Sequence, residues 1–126
     1  AIRLLSFALN DEDEDVRESA VYALANIGGD EAVQEIAVAL RDVESWVRES
    51  AVEALGEIGG DNVVNALATA LQDEDSSVRE MTVEALGEIG GEAVIGLLEK
   101  ALLDEDESVR EAAADALERL KENIRF

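Results

Sequence analysis

One pattern recurs along this chain at a constant spacing of 31 residues. The pair Val-Arg stands at 16–17, 47–48, 78–79 and 109–110, and Gly-Gly stands at 28–29, 59–60 and 90–91. Four units of this length cover all but two of the 126 residues: 1–31, 32–62, 63–93 and 94–124. A period of this size is typical of arrays in which each unit buries its apolar side against the next. The sequence therefore predicts a single repeat domain, 1–126.

Each unit contains two runs of apolar residues at helical spacing. In the second unit they predict a first helix over about residues 31–41 and a second over about 45–58. Gly59-Gly60 then supplies the left-handed backbone position that ends a helix. Aspartates just before second helices, such as Asp75 and Asp106, are expected to accept hydrogen bonds from unpaired helix N–H groups. No segment alternates apolar and polar residues as a strand does, so we predict an all-α chain of eight helices.

Small aliphatic residues form the predicted core between stacked hairpins. Gly56 and Gly87 interrupt second helices, where glycine costs about 1 kcal/mol relative to alanine, and we interpret both as points of close helix approach. The leucines expected to be buried are Leu9, Leu40, Leu71 and Leu102 in first helices, and Leu24, Leu55, Leu86 and Leu117 in second helices.

The pattern Asp-x-x-x-x-Val-Arg, followed by an Ala-rich helix ending Ala-Leu-Gly-Glu-Ile-Gly, resembles HEAT-like repeats. More narrowly, it is similar to the short repeats named after phycobilisome lyases. The resemblance covers the whole chain and implies a right-handed α-α superhelix of four HEAT-like hairpins. Members of this family act as protein-binding scaffolds, bilin lyase subunits and iron-dependent hydroxylases. The hydroxylases place His-Glu after the arginine, whereas this chain has Glu-Ser, Glu-Ser, Glu-Met and Glu-Ala there. Hydroxylase activity is therefore not expected.

The resemblance also implies a structural role for the aspartate and the arginine of the motif. They are expected to form a ladder of charge-assisted hydrogen bonds along the loops between hairpins. We call these eight residues the ladder: Asp11, Arg17, Asp42, Arg48, Asp73, Arg79, Asp104 and Arg110.

Composition excludes several classes of function. The chain has no Cys and no His, which removes thiol nucleophiles, Ser-His pairs and the usual zinc ligands. Its net charge of −21 argues against nucleic acid and anionic membrane surfaces as partners. The most apolar stretch, 93–103, is too short to span a bilayer and contains Glu99 and Lys100. We predict a soluble protein, cytoplasmic by default, that is not an enzyme and binds no cofactor or metal.

Acidic residues at four-residue steps point away from the apolar side of the second helices. In HEAT-like arrays these helices line the concave face, so the resemblance implies an acidic groove that attracts basic proteins or peptides. A solvated face that keeps the protein soluble, and adaptation to high salt, are alternative interpretations. We call the following six residues the acidic column: Glu49, Glu53, Glu57, Glu80, Glu84 and Glu88. Three further residues are predicted as apolar anchors for the partner: Tyr22, Trp46 and Met81.

The N-terminal helix carries more apolar residues than one buried side requires: Ile2, Leu4, Leu5 and Phe7. We expect either that the chain is a fragment of an array that continues at this end, or that it self-associates through this helix. The function predicted from the sequence is a scaffold for a basic partner. The alternatives are a subunit of a bilin lyase or isomerase, and a structural spacer in a larger repeat protein.

Overall fold

A computed structural model describes residues 1–124, and of Ile124 only its place in the last helix. This part of the chain contains eight α-helices and no strand, as the sequence predicts. The helices are α1 Ile2–Ala8, α2 Glu14–Ile27, α3 Gly29–Ala39, α4 Ser45–Ile58, α5 Asp61–Ala70, α6 Ser76–Ile89, α7 Glu92–Ala101 and α8 Glu107–Ile124. None of them is long and apolar enough to cross a membrane.

Glycines end three of the second helices. Gly28, Gly59 and Gly90 follow α2, α4 and α6, and each donates its N–H to the leucine carbonyl four residues earlier at 3.0 Å. Their φ angles lie between 69° and 73° as expected, but their ψ angles lie between −171° and −176°. The expected left-handed helical conformation is therefore wrong in ψ. The backbone is instead in an extended positive-φ region that is essentially restricted to glycine.

The second helices begin in different ways at their N-termini. Oδ1 of Asp106 accepts the N–H of Ser108 at 2.9 Å and its hydroxyl at 2.6 Å, as expected for a capping residue. These bonds lower the pKa of Asp106. Asp75 occupies the equivalent position before α6, but its side chain makes no capping hydrogen bond. The capping prediction is thus confirmed for Asp106 and wrong for Asp75.

The chain divides into two compact units, residues 1–63 and 64–126, with the boundary inside α5. In the first unit α2 packs against α1, α3 and α4, and α3 also packs against α4. In the second unit α8 packs against α6 and α7, and α6 also contacts α7. Each unit thus brings the second helices of two successive repeats together, and this contact positions the residues discussed below.

The predicted core is correct for the second helices and incomplete for the first. Leu24, Leu55, Leu86 and Leu117 are all buried, and so are Leu9 and Leu40. Leu71 is only half-buried because it lines an open hollow of about 750 Å³ together with Leu97 and Leu103. Leu102 is 37% exposed, since the hollow beside it, of about 390 Å³, is open. Burial of these two leucines was therefore predicted wrongly.

Gly87 marks a close approach of two helices, as the sequence indicates. A Cβ atom at this position would lie 2.9 Å from the Cβ of Ala116. Real side-chain carbons do not approach so closely, so only glycine lets α6 and α8 pack at this separation. The same two helices form the walls of one candidate site.

Candidate interaction surfaces

Arg17 connects the first repeat to the second. Its Nε and Nη2 donate to the two carboxylate oxygens of Asp42 at 2.8 and 3.2 Å. Its Nη1 donates to the backbone carbonyls of Asp11 and Glu12 at 2.8 and 3.1 Å. The guanidinium therefore holds the loop of its own repeat and the aspartate of the following one. The hydrogen bond to Asp42 raises the pKa of Arg17.

The loop before α4 holds the carboxylate of Asp42 in the orientation in which Arg17 binds it. Oδ1 of Asp42 accepts the N–H of Glu44 at 3.0 Å, which fixes the carboxylate over the turn before α4. Both side chains of the pair are almost fully removed from solvent, with 11% of Arg17 and 8% of Asp42 exposed. A buried pair of this kind needs additional hydrogen bonds to offset desolvation, and the backbone groups supply them.

The second unit repeats this geometry with Arg79 and Asp104. Nε and Nη2 of Arg79 donate to the Asp104 carboxylate at 2.9 and 3.2 Å, and Nη1 donates to the carbonyl of Asp73 at 2.8 Å. Burial raises the pKa of Asp104, but the bonds from Arg79 and from the N–H of Asp106 outweigh it, and the net pKa is lowered. The bond to Asp104 raises the pKa of Arg79.

The remaining ladder residues keep the same local contacts. Nη1 of Arg48 and of Arg110 donates to the carbonyls of Asp42 and Asp104 respectively, at 2.7 Å in both. Within one repeat, arginine thus contacts the aspartate through its backbone carbonyl, six residues earlier. For Arg17 and Arg79, the carboxylate that the arginine binds belongs to the next repeat, 25 residues later. This spacing was present in the sequence, but only the stacking of hairpins identifies the pairing.

The first unit contains part of the acidic column and two apolar anchors. Glu53 and Glu57 are exposed on α4, whereas Glu49 and Trp46 are half-buried. Tyr22, on α2, is 37% exposed.

Ser50 joins α2 to α4 beside these residues, and it is not among the site residues predicted from the sequence. Its buried Oγ lies 2.7 Å from Oε2 of Glu18 and 3.3 Å from the hydroxyl of Tyr22. The signal available in the sequence was a serine at a position that holds methionine and alanine in the next two repeats.

The second unit contains the rest of the acidic column. Glu84 and Glu88 are exposed on α6, and Glu80 and Met81 are half-buried. A shallow groove of about 190 Å³ runs between α6 and α8, lined by Glu84, Glu88, Ala112, Asp115 and Arg119. The walls that α8 supplies were not among the predicted site residues. The sequence could have indicated them, because Glu111, Asp115 and Arg119 are spaced four residues apart and so lie on the same helix face.

The N-terminal helix is exposed on one side. Leu4 and Phe7 are 74% and 72% exposed, and Ile2 and Leu5 are half-buried. The position of Phe7 is exposed in every repeat, since Val38, Thr69 and Lys100 occupy it later in the chain and are exposed too. The exposure of Phe7 is therefore a property of the repeat and not of the N-terminal position.

Paired helices, glycine-ended second helices and an arginine that reaches the next repeat recur through the described residues. The sequence matches HEAT repeats over residues 2–72 and 39–118. The chain belongs to the HEAT repeat family. No curated protein sequence matches it.

Solved structures place this HEAT repeat chain among larger helical repeat proteins. Human deoxyhypusine hydroxylase, in complex with glycerol, is similar with a TM-score of 0.87 and 32% identity over 97% of this chain and 44% of that one. A designed armadillo repeat protein in complex with the peptide (KR)4 is similar with a TM-score of 0.63 and 25% identity, over 95% and 64%.

A third similar structure is the complex of CpcE and CpcF of the phycocyanin lyase from Nostoc. Its TM-score is 0.70 at 22% identity, over 97% of this chain and 79% of that one. At this identity the likeness concerns the fold alone. This HEAT repeat chain spans less than half of the hydroxylase and about two thirds of the designed armadillo protein.

Proposed function

We propose that this chain is a non-catalytic scaffold whose second-helix faces bind a basic peptide or protein. The proposal depends on one observation above all, the groove between α6 and α8. Its sides carry the exposed carboxylates of Glu84, Glu88 and Asp115. The small side chain of Ala112 also lines the groove, between the walls that α6 and α8 supply.

This shape suits the end of a long cationic side chain. A guanidinium or ammonium group that enters between Glu84 and Asp115 meets charges of opposite sign on both walls. Arg119 lines the groove as well and makes no ion pair in the described part of the chain. The site therefore keeps a net negative charge, and the overall charge of −21 speeds the approach of a cationic partner.

The first unit offers a surface of the same kind. Tyr22 is partly exposed on α2, near the carboxylates of Glu53 and Glu57 in sequence register. Aromatic residues with one accessible face anchor many protein interfaces. Of the similar structures, the designed armadillo protein binds a peptide of alternating lysine and arginine. The same chemistry of partner is what we propose for this chain.

The other functions have weaker support. A bilin lyase subunit rests on the fold alone, because the similar phycocyanin lyase complex is 22% identical. Hydroxylase activity would need the His-Glu pairs of that family, and the residues after each ladder arginine are Glu-Ser, Glu-Ser, Glu-Met and Glu-Ala. A spacer in a larger repeat protein would not use the acidic column, so the binding experiment separates it from the scaffold.

The test is the binding of a labelled (KR)4 peptide, measured by fluorescence anisotropy at low salt. We expect the double variant Glu53→Lys with Glu84→Lys to bind at least about tenfold more weakly, since two reversed charges remove about 1.4 kcal/mol or more. Binding to the unaltered chain should weaken as salt rises, because the contacts are solvent-exposed ion pairs.

A matched control separates local contacts from total charge. Glu31→Lys with Glu99→Lys makes the same change in net charge at exposed positions on first helices. This control should bind the peptide within about threefold of the unaltered chain, since the Debye length is roughly 10 Å at 0.1 M salt. Equal binding by both double variants would overturn the proposed surface.

A further inference from the structure

The face that α2 and α4 share in the first unit has a counterpart between α6 and α8 in the second. Because the repeat is 31 residues long, Tyr22 and Ser50 correspond to Glu84 and Ala112, two repeats later. Glu84 and Ala112 both line the groove between α6 and α8. The two units therefore carry different chemistry at the same place. The first has an aromatic ring and a hydroxyl group where the second has a carboxylate and a methyl group.

The side chain of Tyr22 reaches from α2 to α4. Its hydroxyl donates to Oγ of Ser50 at 3.3 Å, and Ser50 lies 28 residues later, on the neighbouring repeat. Ser50 is 5% exposed, whereas Tyr22 is 37% exposed. The tyrosine is thus held at its hydroxyl end by a buried group, while part of its side chain stays accessible to a partner.

Ser50 also holds a carboxylate of α2. Its hydroxyl donates to Oε2 of Glu18 at 2.7 Å and lies 3.0 Å from the carbonyl oxygen of Trp46. The contact with Glu18 is the shorter one, as expected for an ionised acceptor. Glu18 and Tyr22 are four residues apart on α2 and so are neighbours on the surface of this helix. One buried hydroxyl group on α4 therefore contacts both side chains.

A carboxylate beside an aromatic ring suits the guanidinium group of arginine. This planar group stacks on an aromatic face and donates hydrogen bonds from its edge, whereas the ammonium group of lysine is a compact, strongly hydrated charge. The carboxylate of Glu18 has lone pairs for further donors besides Ser50. An arginine that stacks on Tyr22 is therefore within reach of Glu18.

We propose that Ser50 is a positioning residue, which holds Tyr22 and Glu18 so that the first unit prefers arginine to lysine. This inference rests on the proposed function and specifies the side chain that the basic partner presents. The counterparts in the second unit, Ala112 and Glu84, offer no ring, so the groove there attracts either cation through charge. Discrimination between the two cations is then a property of the first unit.

The test compares the binding of labelled octa-arginine and octa-lysine, measured by fluorescence anisotropy at low salt. The unaltered chain should bind octa-arginine about fivefold more tightly, since stacking and edge hydrogen bonds favour guanidinium. Ser50→Ala should reduce this preference to about twofold or less and change octa-lysine binding by less than about twofold, because only stacking requires a fixed ring. Alanine holds this position in the fourth repeat, as Ala112, so the fold accepts the substitution.

Tyr22→Phe separates the positioning of the ring from the ring itself. It keeps the face on which guanidinium stacks and removes the hydroxyl that donates to Ser50. It should therefore lose part of the preference for octa-arginine. The double variant with Ser50→Ala should behave as Ser50→Ala does, since both substitutions remove the same hydrogen bond. If Ser50→Ala lost helix content by circular dichroism, Tyr22→Phe alone would decide, because its position is partly exposed.

Ser19→Ala is the matched control for the loss of a hydroxyl group. Ser19 holds the position of Ser50 in the first repeat and is exposed on α2. This variant should keep the preference of the unaltered chain. An unchanged preference in a folded Ser50→Ala, or in Tyr22→Phe, would overturn the role of Ser50 and leave the acidic column as the peptide site.

A charge variant in the second unit distinguishes this inference from the proposed function. Glu84→Lys should weaken the binding of octa-arginine and octa-lysine by similar factors, since it acts through charge. A loss of preference as large as that of Ser50→Ala would contradict the assignment of the preference to the first unit. If the unaltered chain bound neither peptide, the proposed function and this inference would fail together.

Discussion

Each ladder arginine that binds a carboxylate within the described residues forms hydrogen bonds with two repeats, its own and the next one. Arg79 donates to backbone carbonyls of its own loop and to both oxygens of Asp104. Glu105 also lies 3.8 Å from the same guanidinium, but its side chain is 89% exposed. The two carboxylates therefore differ in burial and not in chemistry. Burial decides their energetic weight, because solvent screens the exposed pair.

Replacing Asp104 by asparagine should destabilise the protein by about 1 to 3 kcal/mol at pH 7, since a buried guanidinium loses its charged partner. The folded pKa of Asp104 is lowered. Its ionised form therefore adds stability above the unfolded value of about 3.9, and this contribution is lost as pH falls through the folded value. The difference in unfolding free energy between the two proteins, from urea titrations, should shrink accordingly below about pH 4.

The control for this prediction is Glu105→Gln. It removes a carboxylate from the same arginine, yet it should change stability by less than about 0.5 kcal/mol at pH 7. The loss of unfolding free energy caused by Asp104→Asn should not stay constant down to the most acidic pH. A constant loss would contradict the role assigned to the charge of Asp104.

At the scale of helices, two glycines in helix interiors serve different purposes. Gly87 lies where α6 meets α8, and a Cβ there would collide with Ala116. Gly96 lies in α7, and a Cβ there would meet nothing within 4 Å. Both cost helix propensity relative to alanine. Only Gly87 offsets that cost through packing.

These positions give opposite expectations for the same substitution. Gly96→Ala should stabilise the protein by about 0.5 to 1 kcal/mol through helix propensity. Gly87→Ala should destabilise it by about 1 to 3 kcal/mol, because the added carbon overpacks the contact between α6 and α8. Thermal unfolding monitored by circular dichroism measures both. Adding Ala116→Gly to Gly87→Ala should recover part of the loss, since the two positions are in contact. A stabilising Gly87→Ala would refute close approach as the reason for this glycine.

At the scale of the whole molecule, charge opposes folding. The chain carries 31 acidic and 10 basic residues, and the described arginine-carboxylate pairs Arg17–Asp42 and Arg79–Asp104 bury two of the basic residues. Most of the other carboxylates lie on the surface, where they repel one another. A large net charge keeps a protein soluble but destabilises its compact state.

Salt should therefore stabilise this protein. Raising sodium chloride from about 0.05 to about 0.5 M should raise the unfolding midpoint by several degrees, since the Debye length falls well below 10 Å. The variant with Glu31→Lys and Glu99→Lys should unfold at a higher temperature in low salt and show a smaller salt effect. If the unfolding midpoint fell as salt was added, exposed ion pairs would affect stability more than charge repulsion does. That result would contradict the prediction.

The sequence alone was sufficient for the helices, their number and their glycine ends. These features depend on interactions between residues a few positions apart, and the spacing of apolar residues reports them directly. Family membership was predictable for the same reason, because the motif around Asp42 and Arg48 lies within one repeat. The acidic residues spaced four apart from Glu80 to Glu88 could be predicted to lie on one helix face, since helix geometry alone places such residues side by side.

Tertiary structure decided which partners these residues have. Arg17 has similar aspartates six residues before it and 25 residues after it, and only the stacking of hairpins makes Asp42 the one whose carboxylate it binds. Leu102 and Leu40 occupy the same repeat position, yet one is exposed and the other buried. Local sequence is nearly identical in these cases, so it carries no information on the outcome. Burial and pairing depend on the surface that lies opposite, and that surface is set by the packing of neighbouring repeats.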